Sequence, residues 1–164
     1  MRLAVNSPEE MEAFAGGCAQ SLPAGFNLYL QGELGAGKTT FVRGVLRGLG
    51  YRGIVKSPTY TLVEYYRIAD RDIYHLDLYR LAAATELDDI GCRDYFDGLA
   101  VCLVEWPERG RGCLPEPDLL IDIAINRSRR DLNCHALTAT GEKYLQRLGA
   151  SYPVVETASI QGSE

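Results

Sequence analysis

The sequence predicts an α/β fold in which helices and strands alternate, and three observations carry that expectation. A glycine-rich stretch, residues 32–39, falls between a segment of strand character and one of helical spacing. Two regions, 59–79 and 119–138, have the alternation and composition of antiparallel hairpins. A chain of 164 residues, 46% hydrophobic and 24% charged, has the size and composition of one water-soluble domain with a real core.

Taken in order, residues 1–5 read as a short strand. Ser7, Pro8 and Glu10 then spell a capping box for a helix running to about Ser21, whose apolar face is Met11, Phe14, Ala15, Cys18 and Leu22. Residues 26–31 form a strand that enters the glycine-rich turn, and residues 39–49 return to helical spacing through Phe41, Val42, Val45, Leu46 and Leu49. In the first hairpin the polar stretch 67–72 makes the turn. In its second strand Ile73, His75, Asp77 and Tyr79 share one face, and Tyr74, Leu76 and Leu78 the other. Thr85 caps a short helix through Ile90, and residues 99–104 form a buried strand that ends in Glu105. In the second hairpin Leu119, Ile121, Ile123 and Ile125 alternate with Leu120, Asp122, Ala124 and Asn126, and residues 127–130 turn into the strand 131–138. Residues 142–148 make a final helix. One domain is expected over 1–149, with 150–164 as a flexible tail because periodicity stops there.

The net charge of −5, with Lys38, Lys56 and Lys143 as the only lysines, disfavours direct tight binding of nucleic acid, whose affinity comes from neutralised phosphates. The longest apolar run, residues 99–104, is far short of the ~18 residues that span a bilayer. Glu9 and Glu10 come too early for a secretory signal, so the cytoplasm is the expected location. Five cysteines without a C-x-x-C pair are expected as buried reduced thiols, not a zinc site.

Gly32-Glu33-Leu34-Gly35-Ala36-Gly37-Lys38-Thr39 matches G-x-x-x-x-G-K-[ST]. Glycines allow the backbone to curl its N–H groups inward around phosphates, Lys38 neutralises the β and γ phosphates, and the Thr39 hydroxyl is placed for magnesium. The helix that follows adds the positive end of its dipole. Neither Lys56, followed by Ser57-Pro58, nor Lys143, followed by Tyr144-Leu145, fits an Asn/Thr-Lys-x-Asp guanine loop, which favours ATP. The magnesium water shell also needs an acid at a strand end. Asp77 closes one mostly apolar strand and Glu105 another; Glu105, after a continuous apolar run, is the stronger choice because an acid there needs a cation or a donor. Residues 57–61 lie where related nucleotide switches sense the γ phosphate. His75 reads as a hydrogen-bonded structural histidine.

Together the phosphate loop, Ser57-Pro58-Thr59-Tyr60, His75-Leu76-Asp77-Leu78-Tyr79-Arg80 and Glu105-Trp106-Pro107-Glu108 resemble the TsaE family, bacterial ATPases of tRNA threonylcarbamoyladenosine biosynthesis, over residues 1–149. The resemblance implies a P-loop nucleoside triphosphate hydrolase-like fold with a mixed sheet, in agreement with the antiparallel hairpins and flanking helices. It implies Lys38, Asp77 and Glu105 as catalytic residues, with Thr39 and Glu105 holding Mg2+ and Asp77 ordering water. Gly32, Glu33, Leu34, Gly35, Ala36, Gly37, Lys38, Thr39 and Thr40 would bind ATP. Thr59 would do so from the switch and Ser7, with Asn6, near adenine, while Trp106 would flank the metal acid. It further implies TsaB and TsaD as partners that transfer threonylcarbamoyl to adenosine 37, with hydrolysis resetting the assembly and tRNA met only through the complex. Two rivals are a small-molecule kinase, whose arginine lid Arg127, Arg129 and Arg130 would mimic, and a non-catalytic nucleotide-dependent binding module. Against the kinase, those arginines fall inside a hairpin.

Overall fold

The computed structural model of the chain describes residues 1–58 and 60–152. Its strands are β1 (Arg2–Val5), β2 (Asn27–Gln31), β3 (Val63–Ile68), β4 (Arg71–Asp77), β5 (Val101–Glu105), β6 (Leu119–Asn126) and β7 (Arg129–Ala136). Its helices are α1 (Pro8–Gln20), α2 (Lys38–Gly48), α3 (Glu86–Asp89) and α4 (Ala139–Ser151). Among the described residues the seven strands form one sheet in the order β1-β7-β6-β2-β5-β4-β3. β2 runs parallel to both its neighbours and β5 runs parallel to β4, while β1, β3 and β7 pair antiparallel, so the sheet is mixed. Central parallel strands are covered on both faces and therefore read as unbroken apolar runs. β5 is the extreme case, with all five residues buried.

One face carries Leu28, Leu30, Ile73, Val101 and Leu103 under residues of α1, α2 and α4. The other carries Tyr29, Leu76, Leu78 and Val104, which pack with Leu81, Leu87 and Cys92. The helix that leads out of the glycine loop, α2, has only Gly37 at its N-cap and no side-chain cap, a deficit of roughly a few tenths of a kcal/mol. Phe41, Val42, Val45 and Leu46 are fully buried, and each such burial contributes about 1.5–3 kcal/mol, so packing outweighs the missing cap. Close packing against α1 depends on small residues: a Cβ on Gly48 would stand 2.4 Å from the Gly16 carbonyl oxygen, and one on Gly44 2.6 Å from the Ala15 Cβ. Arg43 and Glu12 pair at 3.0 Å across the same crossing.

Several local expectations change in three dimensions. The first hairpin turns at Ala69 and Asp70 alone, because Arg67 and Asp72 are register partners joined by a 2.6 Å ion pair. Thr85 does not cap α3; the Glu86 carboxylate instead accepts from the Ala82 and Ala83 N–H groups at 3.0 and 2.8 Å. Leu99 is 75% exposed and lies outside β5, since Asp97 Oδ1 ties the N–H groups of Leu99 and Ala100 into a turn. The second hairpin turns at Arg127 and Ser128, with Arg129 and Arg130 already in β7. The last helix continues through Ser151, so residues 150 and 151 are helical and not the start of a tail; the remainder of that expected tail, from residue 153, lies outside the described residues.

Cys18, Cys92, Cys102 and Cys134 are buried free thiols, and Cys113 is partly exposed. Burial pushes Cys18 and Cys134 up to about 12 and Cys92 up to about 11, and raises Cys102 as well. The reactive species is the thiolate. A chromogenic disulfide reagent is therefore expected to titrate Cys113 first in the native protein and the other thiols only after denaturant is added. Rapid reaction of several thiols without denaturant would contradict this burial.

Candidate active site

β2, in the middle of the sheet, ends at Gln31, and the chain curls through residues 32–37 into α2. Two positions admit only glycine. Gly32 has φ +147°, and a Cβ there would lie 2.4 Å from the Ile123 carbonyl oxygen; Gly37 has φ +107° at the helix entrance. Lys38, first in the helix, is 4% exposed, and its Nζ donates to the carbonyl oxygens of Gly32 at 2.7 Å and Glu33 at 2.9 Å. The same ammonium lies 3.9 Å from the centre of the Trp106 ring. Burial holds its pKa below the ordinary lysine range, and Glu105, Glu108 and Asp77 work against that shift. The cation thus rests on its own loop's dipoles.

Asp77 and Glu105 end adjacent parallel strands as direct register partners, beside the loop. Glu105 is 2% exposed, and the Thr39 hydroxyl donates to its Oε1 at 2.8 Å and Oε2 at 3.0 Å. His75 Nε2 lies 2.9 Å from Oε1. Asp77, also buried, accepts from the Ser57 hydroxyl and, at 3.0 Å, from the Tyr79 N–H. Its own N–H donates to Leu62 at 3.0 Å, so the segment after α2 is docked on this strand end. Trp106 has φ +59°, a conformation that is a genuine outlier for a bulky residue. Its N–H bonds the Leu30 carbonyl at 3.2 Å, and its ring is bracketed by Lys38 and by Tyr79, 5.0 Å away. Such strain persists only where surrounding contacts over-determine it, and here they place the indole beside the lysine.

Two hollows adjoin the loop. A cavity of about 310 Å³ is lined by Lys38, Thr39, Ser57, Asp77, Glu105 and Trp106. A cavity of about 160 Å³ opens on the other side of Gly35 and Gly37, between the junction of β1 with α1 and the β6–β7 turn. The chemistry suits a polyphosphate with magnesium: a cation, open space over Gly35 where a Cβ would meet nothing within 4 Å, and hard oxygen donors from Thr39 and Glu105.

The structure brings Lys38, Thr39, Asp77 and Glu105 to the larger cavity, and Gly35, Gly37 and Thr40 to both. Leu34 lines the larger one although it is 70% exposed, and Ala36 lines the smaller. Glu33 contributes its carbonyl to Lys38 while its side chain is exposed. Gly32 likewise serves through its carbonyl. Ser7 does two things: it caps α1, accepting the Glu10 N–H at 3.1 Å, and it lines the smaller cavity with Asn6. Thr59 lies outside the described residues. Sequence reasoning missed Met11, Ser128 and Arg130 at the smaller cavity. Arg130 reaches the Gly35 carbonyl at 3.4 Å across 95 positions of chain, and its only trace in the sequence was an arginine cluster read as a turn.

Residues 5–132 match the family model described as Threonylcarbamoyl adenosine biosynthesis protein TsaE. The chain belongs to the TsaE family. A TsaE relative from Haemophilus influenzae, named as a tRNA threonylcarbamoyladenosine biosynthesis protein, is 52% identical over 118 residues, covering 72% of this chain and 75% of its own. One of the same name from Bacillus subtilis is 41% identical over 138 residues, 84% of this chain and 85% of its own. Among solved structures, the crystal structure of Bacillus subtilis YdiB superimposes with a TM-score of 0.79 at 34% identity, covering 92% of this chain and 95% of that one. All the strand-end and loop residues of the larger cavity fall within the stretch that matches the TsaE model.

Proposed function

We propose that this TsaE-family chain is an ATP hydrolase required for threonylcarbamoyladenosine formation at position 37 of tRNAs that read codons starting with A, working with TsaB and TsaD in the cytoplasm. The name of the family and of its relatives supports the pathway. The observation that carries the chemistry is the Thr39–Glu105 hydrogen bond beside Lys38, which places a loop hydroxyl, a buried carboxylate and a cation within one cavity. No helix among the described residues is long and apolar enough to cross a membrane.

On this reading Lys38 leaves the Gly32 and Glu33 carbonyls for the β and γ phosphates, and the loop N–H groups close around them. Thr39 and Glu105 hold magnesium, which when bound offsets phosphate charge. The cation is needed because Glu105, Asp77 and Glu108 all act on this site, and a nucleotide adds further negative charge. Asp77, docked to Ser57, orders the attacking water. The base takes the smaller cavity beside Ser7 and Thr40. A kinase is less well supported, because Arg127 sits in the tight turn at φ +54°, Arg129 pairs with Asp131 at 2.9 Å and Arg130 meets the loop, which fixes the supposed lid arginines in the hairpin.

The described residues lining the larger cavity include no arginine. P-loop enzymes gain roughly 10³–10⁵ in rate when such a charge is supplied. Steady-state phosphate release is therefore expected to be slow for the protein alone and to rise with added TsaB and TsaD. Fast hydrolysis alone, indifferent to the pair but accelerated by a small hydroxylated metabolite, would favour a kinase. Nucleotide binding without release under either condition would favour a non-catalytic module.

A further inference from the structure

We propose that His75 is a positioning residue for the magnesium site, donating from Nε2 to hold the Glu105 carboxylate in the orientation that serves the cation. The proposal rests on reading the cavity as an MgATP site.

His75 stands on β4 two residues before Asp77 and on the same face, and its side chain is fully buried. Its Nε2 lies 2.9 Å from Glu105 Oε1, while Nδ1 has no hydrogen-bond partner among the described residues. That asymmetry assigns the tautomer. With the proton on Nδ1, a bare Nε2 lone pair would face a carboxylate oxygen at this distance and a buried N–H would lack an acceptor. With the proton on Nε2, the ring donates to Glu105 and leaves only a lone pair unmet, the cheaper arrangement.

The consequence falls on Glu105. Among the described residues, its Oε1 takes both the His75 donor and the shorter Thr39 contact, whereas Oε2 takes only the Thr39 contact at 3.0 Å. Thr39 cannot fix the carboxylate alone, since its hydroxyl is shared between the two oxygens and is itself expected to turn a lone pair to magnesium. His75, on the neighbouring strand β4, pins Oε1, which leaves Oε2 for the cation's water shell. Hydrogen bonds that orient a metal-binding side chain commonly change metal affinity about 10- to 100-fold when removed.

The test uses the full chain and equilibrium binding of a fluorescent, non-hydrolysable ATP analogue, first in chelator and then across a magnesium titration. His75→Leu keeps bulk and removes the donor. It is expected to raise the magnesium midpoint about tenfold or more, with metal-free affinity unchanged. His75→Gln, whose amide reaches the position of Nε2, should restore most of the wild-type midpoint. A purely structural histidine would move both affinities together or neither. A folded His75→Leu protein with a wild-type magnesium midpoint, or a Gln variant no better than Leu, would overturn the proposal. Should the Leu variant not fold, His75→Asn replaces it, because the shorter amide stops short of Glu105; equal midpoints for Asn and Gln would again overturn it. A wild-type protein that binds the analogue without regard to magnesium would refute the MgATP reading itself, which separates that failure from one confined to His75.

Discussion

Replacing Lys38 with alanine is expected to abolish measurable ATP hydrolysis and to weaken ATP binding roughly 10- to 150-fold, the equivalent of losing hydrogen bonds to a charged group worth about 1.5–3 kcal/mol. The effect on folding should be small. The buried ammonium is satisfied by two carbonyls of its own loop and by the face of Trp106, and burial already disfavours its charge. Removing it gives up those contacts and also the cost of desolvating the charge. Titration with a labelled ATP analogue, beside a thermal melt, checks both parts. Undiminished affinity in a folded variant would sink the phosphate-loop assignment.

The second large effect separates the two carboxylates. Glu105→Gln should move the magnesium midpoint of hydrolysis upward about tenfold or more, because an amide is a poorer ligand for a hard cation and its NH₂ cannot accept from Thr39. Metal-free nucleotide affinity should hold or improve, since one of the charges acting on the phosphate site is gone. Asp77→Asn should instead lower turnover about 10²-fold or more with little change in that midpoint, because the carboxylate that accepts from the attacking water and orders it is gone. Glu105 ends the strand next to β2 and meets Thr39, whereas Asp77 ends the strand beyond it and meets Ser57, so the two substitutions should act on different steps. The opposite pattern in the pair of titrations would show that their roles are exchanged.

The parts of this site that were legible in the sequence are those whose geometry is local. The glycine loop, the Ser7 cap and the shared face of His75 and Asp77 each follow from spacing within a few residues and are present in the structure, although Glu10 returns to the Asn6 N–H and not to that of Ser7. The central strands were legible for a different reason: a strand buried on both faces leaves an apolar run, and an acid such as Glu105 stands out at its end. Contacts between distant segments left no such trace. Arg130 lies beside Gly35 only because β7 returns next to β6, which itself pairs with β2. The His75 contact with Glu105 depends on β4 and β5 being neighbours in register. Leu99 failed in the other direction, since its hydrophobicity suggested strand while Asp97, two residues earlier, captured its N–H. Thr85 failed as a cap because the N–H groups of Leu87 and Asp88 bond the Ala84 and Thr85 carbonyls in a tight turn.

The measurement that bears most directly on the function is multiple-turnover formation of threonylcarbamoyladenosine on tRNA by TsaB and TsaD, supplied with the activated threonylcarbamoyl donor and ATP, with and without this protein. If ATP hydrolysis at the Lys38, Thr39 and Glu105 site resets the assembly, product should accumulate past one equivalent per complex only when the wild-type chain is present. Lys38→Ala and Glu105→Gln should then stall near the first turnover. Sustained modification without the chain, or full support by a folded Lys38→Ala protein that hydrolyses no ATP, would contradict the account.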